Sequence, residues 1–95
     1  MKINVTEEDI ENGQPGNIQC CAIALALKRT FKTDMVEVKK DDNTNKVILQ
    51  IDDDEYDHND ISKSHYITTF IEKFDIEEDV EPFIFEINNI TKESK

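Results

Sequence analysis

The chain has 95 residues, and its 22 Asp and Glu against 11 Lys and Arg leave a formal net charge of −11 at pH 7. A field of that sign disfavours direct binding to DNA, RNA or an anionic membrane, and it favours cations or basic protein surfaces. The length is that of one domain with one small core, which we expect over residues 1–90, followed by a disordered tail over residues 91–95.

The sequence contains no apolar run long enough to cross a membrane and no apolar segment typical of a signal peptide. We therefore expect a cytoplasmic protein, whose thiols stay reduced. Cys20 and Cys21 are adjacent in sequence, and a disulfide between neighbours would be strained. Two free thiols are the expected state.

The chain begins with a short strand and a short helix. Residues 2–5 alternate between polar and apolar side chains, which predicts a strand. Thr6, with Asp9 three positions later, resembles a capping box at the start of a helix over residues 7–12, and Gly13 is a natural stop.

The most apolar segment predicts a helix over residues 18–31, with Asn17 as its N-cap after a type II turn at residues 14–17. Apolar side chains cover most of its surface, so it must be covered on several sides. Either the domain wraps this helix, or a second copy of the chain does so in a homo-oligomer. The stripe expected to face the core consists of Cys20, Ile23, Ala24, Leu27 and Phe31.

The second half of the chain predicts a hairpin and another helix. Residues 35–39 and 46–52 alternate in polarity and read as two antiparallel strands. An acidic loop over residues 52–60 follows them. A second helix, capped by Asp60 or Ser62, then ends near Phe74.

A last strand begins after Pro82, which has no N–H to give to a sheet. With it, the main elements follow the order β-α-β-β-α-β. This order predicts an α+β sandwich of ferredoxin-like type, with a four-stranded, mainly antiparallel sheet and two main helices on one face. A different wiring of the same elements is the alternative. The strand residues expected to face the helices are Ile3, Val5, Val36, Val38, Val47, Leu49, Ile51, Phe83, Phe85 and Ile87.

Twelve of the acids fall into two segments, six in residues 52–60 and six in residues 72–81. The first segment does not fit an EF-hand, because counting from Asp52 puts Asp57 at the glycine position and Lys63 at the glutamate position. Two adjacent cysteines and two distant histidines do not supply a zinc site either. We expect no specific metal site and no bound cofactor, with loose, millimolar cation binding by the acidic loop as the alternative.

Two catalytic or anion-binding alternatives rest on few residues. Cys20 at a helix N-terminus and His65 on the second helix suggest a nucleophile and a base. A cysteine in a core stripe, however, more often packs as a small apolar residue. The turn at residues 14–17 precedes a helix N-terminus, but it carries no Lys or Arg to hold a phosphate.

The two acidic segments flank opposite ends of the second predicted helix. At ~1.5 Å of rise per residue, they would lie roughly 15–20 Å apart, a scale comparable with the grouping of phosphates along a duplex. We expect them to bind a basic protein surface, with Tyr56 as an exposed aromatic anchor unless it is partly buried at the end of its strand. The first ridge is Asp52, Asp53, Asp54, Glu55 and Asp57, and the second ridge is Glu77, Glu78, Asp79 and Glu81.

The runs VTEEDIENG at residues 5–13 and CAIALAL at residues 21–27 resemble small uncharacterised proteins of phages and their hosts. FIEKFD at residues 70–75 and VEPFIFE at residues 80–86 share this resemblance. Where that pattern often has a proline after the cysteine, this chain has Ala22. The resemblance implies a phage or prophage context and raises the expectation of an inhibitor of host machinery, but it brings no site residues.

Together these features predict a non-enzymatic acidic protein that inhibits a host nucleic-acid-handling or defence protein by occupying a basic surface, in the manner of a DNA mimic. One alternative is an oligomeric protein that binds a small ligand or metabolite. Another is an enzyme that uses Cys20 or His65.

Overall fold

The computed structural model describes residues 1–41, 43–44 and 46–88. The predicted tail, residues 91–95, lies outside the described residues. Within them the chain is α+β, with three α-helices and two antiparallel sheets. In chain order the elements are β1 (Lys2–Val5), α1 (Glu7–Asn12), α2 (Ala22–Phe31), β2 (Val36–Asp41), β3 (Lys46–Ile51), β4 (Asp54–Tyr56), a 3-10 turn (His58–Asp60), α3 (Ser64–Asp75) and β5 (Phe83–Glu86).

The single four-stranded sheet expected from the sequence is not formed. β1 pairs with β5 in one sheet, and β2, β3 and β4 form a second one in that order. The predicted hairpin of β2 and β3 is confirmed, but the acidic segment after β3 turns back and pairs with it as β4. β4 thus occupies the edge of β3 that β1 would need in a ferredoxin-like sheet.

The sheet of β1 and β5 is extended by the segment that follows the 3-10 turn. Ile61 forms an isolated antiparallel bridge with Ile87. The backbone N–H of Ser62 donates to the carbonyl of Glu86 at 2.8 Å, and that of Asn88 donates to Asp60 at 2.6 Å. The end of β5 is therefore hydrogen-bonded on both sides, by β1 and by residues 60–62.

The helix predicted from residue 18 begins four residues later. Asn17 does not cap it; its side-chain oxygen accepts a hydrogen bond from the N–H of Gln19 at 2.9 Å, which stabilises a turn. The N–H of Gln14 donates to the carbonyl of Cys20 at 2.8 Å and closes a loop, so Cys21 is the N-cap of α2. The type II turn is supported, because Gly16 has φ 76° and the N–H of Asn17 donates to Gln14.

α1 has the capping box that the sequence predicts. The N–H of Asp9 donates to the Thr6 hydroxyl, and the Asp9 carboxylate accepts from the N–H of Thr6 at 2.9 Å. At Gly13, where the helix ends, an added Cβ would lie 2.6 Å from the backbone nitrogen of Ala22. Glycine is needed there because the chain packs closely against the start of α2.

A single hydrophobic core joins both sheets to α2 and α3. Five apolar residues of α2 are covered by the chain itself, because Ala22, Ile23, Ala24, Ala26 and Leu27 are fully buried, whereas Leu25 and Phe31 are half-buried. The homo-oligomer through residues 18–31 stays a prediction, and its surface would be the part of Ile18, Leu25 and Phe31 that the chain leaves exposed. The predicted strand residues are buried too, except that Phe83 is partly exposed.

Candidate functional site

The first ridge is built on a tight hairpin and a strand, where a solvated loop was expected. Asp52 and Asp53 connect the paired residues Ile51 and Asp54, and Asp52 has a left-handed backbone with φ 54°. The Thr33 hydroxyl donates to the Asp52 carboxylate at 2.6 Å, and the N–H of Asp52 donates to the carbonyl of Met35 at 2.8 Å. These two bonds fix the turn against the start of β2.

Tyr56 is not the exposed aromatic anchor that the sequence suggested. It lies opposite Leu49 in β4, and only 2% of it is exposed. Side chains alternate between the faces of a strand, so the pairing that leaves Glu55 in solvent turns Tyr56 into the core. Tyr56 is a core residue and does not belong to the partner-binding surface.

The second ridge begins in the C-terminal cap of α3. Glu77 has a left-handed backbone with φ 62°, and its N–H donates to the carbonyl of Phe74 at 3.0 Å. The N–H of Glu78 donates to Lys73 at 2.9 Å, which completes a Schellman cap. The cap fixes the backbone of the second ridge relative to α3, although the position usually taken by glycine holds a glutamate.

The ridge carboxylates face solvent. Eight of the nine are exposed, and Asp54 is half-buried. They lie in two stretches of sequence without Lys or Arg, one between Lys46 and Lys63 and the other between Lys73 and Lys92. In the described part of the chain, no salt bridge joins Asp53, Glu55 or Glu78 to a Lys or Arg. These three carboxylates are therefore exposed to solvent.

α3 separates the two ridges, as expected. It has 12 residues, a length of about 18 Å at 1.5 Å per residue. The first ridge precedes it and the second follows it. Along the chain, the two groups of carboxylates therefore lie before and after one helix, and their spacing in space stays a prediction.

Two histidines meet at the start of α3. The rings of His58 and His65 lie 5.0 Å apart, edge to face. The N–H of Val47 is 3.4 Å from Nδ1 of His58, which must accept because a backbone amide only donates. In neutral His58 the proton then lies on Nε2, which donates to the Ser64 hydroxyl at 3.0 Å. In this tautomer His58 does not take a proton from Ser64.

Partial burial lowers the pKa of His58, and the nearby His65 and Lys46 lower it further. Asp57 acts in the opposite direction. The neutral imidazole is therefore the form that this environment favours.

Neither cysteine lies within α2, although the sequence predicted that Cys20 would belong to its core-facing stripe. Cys20 precedes α2 and is half-buried, with its sulfur 4.0 Å from Nζ of Lys28. Cys21 is buried, and burial raises the pKa of its thiol. Across the described residues, no hydrogen bond joins either cysteine to His58 or His65. The nucleophile and base suggested by the sequence are thus not hydrogen-bonded to each other.

The residues described by the structure contain no group of three or more His, Cys, Asp or Glu placed to hold a metal ion. Nor does any described helix have the length and apolar composition needed to span a bilayer.

A small concave site, which sequence reasoning missed, lies beside the second ridge. Its volume is about 180 Å³. Tyr66, 47% exposed, forms part of its wall. The only sequence signal is the helical spacing that puts Tyr66, Phe70 and Lys73 on one face of α3. The lining residues are Tyr66, Thr69, Phe70, Lys73, Asp79, Val80 and Glu81.

No protein-family model, curated protein or solved structure was found to match the chain.

Proposed function

We propose that this chain is a non-enzymatic acidic protein of phage type, which inhibits a host nucleic-acid-handling or defence protein by occupying its basic surface. The observation that carries this proposal is the exposure of eight of the nine ridge carboxylates, in two stretches of chain without Lys or Arg. An exposed charge keeps its hydration until a partner arrives, so it contributes mainly to steering and to specificity.

The backbone geometry supports a fixed pattern of charge. The first ridge is held by a hairpin bonded to Thr33 and Met35, and the second by the Schellman cap of α3. Along the chain they are separated by a helix about 18 Å long, compared with a width of about 12 Å for the major groove of B-DNA. In the DNA-mimic version of the proposal, the two groups of carboxylates are spaced on that scale, like phosphate groups on either side of a groove.

The resemblance to small acidic proteins of phages supports an inhibitory role in a bacterial host. Such an inhibitor acts stoichiometrically, because it competes with nucleic acid for one surface. Its affinity should fall steeply with salt, since the attraction is carried by charge.

The test uses two double variants with the same change in net charge. D53K/E55K alters the first ridge, and E7K/E11K alters exposed acids of α1, outside both ridges. Each immobilised protein is incubated with bacterial extract at low salt and eluted in a salt gradient. A captured protein is then purified, and its binding to duplex DNA is measured with each variant as competitor.

The proposal expects the unaltered chain and E7K/E11K to displace DNA, and D53K/E55K to be at least tenfold weaker. Equal weakening of both variants would show that net charge alone acts. Unchanged competition by D53K/E55K would overturn the role of the first ridge.

A further inference from the structure

The concave site beside the second ridge differs from a small-molecule pocket in size. Its volume of about 180 Å³ lies below the ~300–1,000 Å³ of typical ligand pockets. A space of this size suits one long side chain. Its lining combines the apolar residues Tyr66, Phe70 and Val80 with the charged residues Asp79, Glu81 and Lys73.

The aromatic wall is held in place by ring contacts. The ring of Tyr66 lies 4.8 Å from that of Phe83, which is 5.0 Å from Phe70 and 5.8 Å from Phe85. Phe70 and Phe85 are buried. The contact with Phe83 orders Tyr66 before any partner arrives, while nearly half of its surface stays exposed.

We propose that this site receives one arginine side chain from the basic surface of the partner protein. The apolar stem packs on Phe70 and Val80. The planar guanidinium lies against the ring of Tyr66 and pairs with Asp79 or Glu81. Arginine fits better than lysine, because its flat, weakly hydrated cation stacks on aromatic rings and binds carboxylates with two hydrogen bonds. This inference rests on the proposed function, since it assigns the second ridge to the partner's basic surface.

The effect of Lys73 on affinity distinguishes an arginine-binding site from a purely structural role of these residues. Lys73 lines the same site, so we expect its positive charge to repel an incoming guanidinium. Removing that charge with Lys73→Gln should therefore strengthen binding of arginine, although it removes a side chain from the site.

The probe is a ten-residue peptide of alternating arginine and glycine, compared with the same peptide made with lysine and with neutral citrulline. Binding is measured by nuclear magnetic resonance titration, following the amide signals of Thr69, Phe70 and Val80. We expect these signals to shift with the arginine peptide, less with the lysine peptide and not with the citrulline peptide.

Tyr66→Ala should weaken binding of the arginine peptide about fivefold, the equivalent of ~1 kcal/mol. Tyr66→Phe, which keeps the ring, should bind within twofold of the unaltered chain, and Lys73→Gln should bind more tightly. Thermal melts of each variant establish that the fold persists.

Failure of this inference is distinguishable from failure of the proposed function. If D53K/E55K abolishes competition with DNA while Tyr66→Ala binds arginine peptide like the unaltered chain, the arginine site is wrong and the acidic docking stands. If arginine and lysine peptides bind equally and Lys73→Gln has no effect, the site has no preference for arginine. If D53K/E55K competes with DNA like the unaltered chain while Tyr66→Ala loses arginine binding, the site stands without the first ridge.

Discussion

Arg29 binds Asp9 through two parallel hydrogen bonds, from Nη1 to Oδ1 at 2.7 Å and from Nη2 to Oδ2 at 2.8 Å. Nη2 also donates to the carbonyl of Asn4 at 2.8 Å. The guanidinium thus ties α2 to α1 and to β1. Asp9 is 4% exposed and also accepts from the N–H of Thr6. One carboxylate therefore caps α1 directly after β1 and binds α2 through Arg29.

Removing the guanidinium should destabilise the fold. Arg29→Met leaves the carboxylate of Asp9 buried without its cation, and we expect a loss of about 2 kcal/mol, between the values for exposed and buried pairs, because Arg29 is itself half exposed. Arg29→Lys keeps the charge but loses the paired geometry, so it should lose less. Urea unfolding measures both. Equal stability of all three proteins would show that the pair contributes nothing.

The histidine pair predicts a dependence of stability on pH. Burial, His65 and Lys46 lower the pKa of His58 in the folded state, so the unfolded chain binds the proton more readily. Stability from this group is present above the unfolded value of about 6.5 and is lost as pH falls through the folded pKa.

Chemical unfolding at pH 7.5 and at pH 5.5 tests this dependence. The unaltered chain should lose stability between the two, and His58→Gln should lose less. The pKa of Asp9 is also lowered; burial raises it, but the hydrogen bonds from Arg29 and Thr6 outweigh burial. Its contribution is lost only below the unfolded value of about 3.8, outside this pH range. An equal loss in His58→Gln would assign the effect to other groups.

The C-terminus of α2 stores backbone strain at Lys32. This residue has φ 56° and ψ 47°, and its N–H donates to the carbonyl of Lys28. A left-handed conformation costs a residue with a Cβ roughly 1 kcal/mol, which glycine avoids. Lys32→Gly should therefore raise the free energy of unfolding by about 0.5–1 kcal/mol. Lys32→Ala removes the same charge but keeps the Cβ, so a thermal melt should show no comparable gain for it.

Sequence periodicity predicts most of this fold because most of its elements have one buried face. Ile3 and Val5 in β1, or Val47 and Leu49 in β3, alternate as a half-buried strand must. β4 has no such signal, since it holds two acids and one tyrosine. This short strand nevertheless takes the free edge of β3 and divides the sheet in two. A three-residue strand is selected by the tight turn before it and by pairing, which are not visible in hydrophobic periodicity.

Hydrophobic periodicity also did not predict where α2 begins or which aromatic side chains are exposed. An apolar run from residue 18 reads as helix, yet the hydrogen bond from Gln14 to Cys20 closes a loop there. The acidic ridges can be located from the sequence alone, by counting Asp and Glu along the chain. Which tyrosine is exposed depends on which residues of β4 face the core and on how α3 is rotated about its axis. The sequence therefore predicted Tyr56 as the exposed tyrosine and gave no role to Tyr66.

These two tyrosines should respond oppositely to truncation. Tyr56 is 2% exposed and belongs to the hydrophobic core, so Tyr56→Ala leaves a cavity and should cost about 3 kcal/mol. Tyr66 is 47% exposed and packs on Phe83, so Tyr66→Ala should cost about 1 kcal/mol or less.

Urea unfolding gives the stabilities, and titration with the arginine peptide gives the binding. Because Tyr56→Ala acts on the core alone, any of it that remains folded should bind the peptide normally, whereas Tyr66→Ala should stay folded and bind weakly. The reverse pattern would return the role of the aromatic anchor to Tyr56.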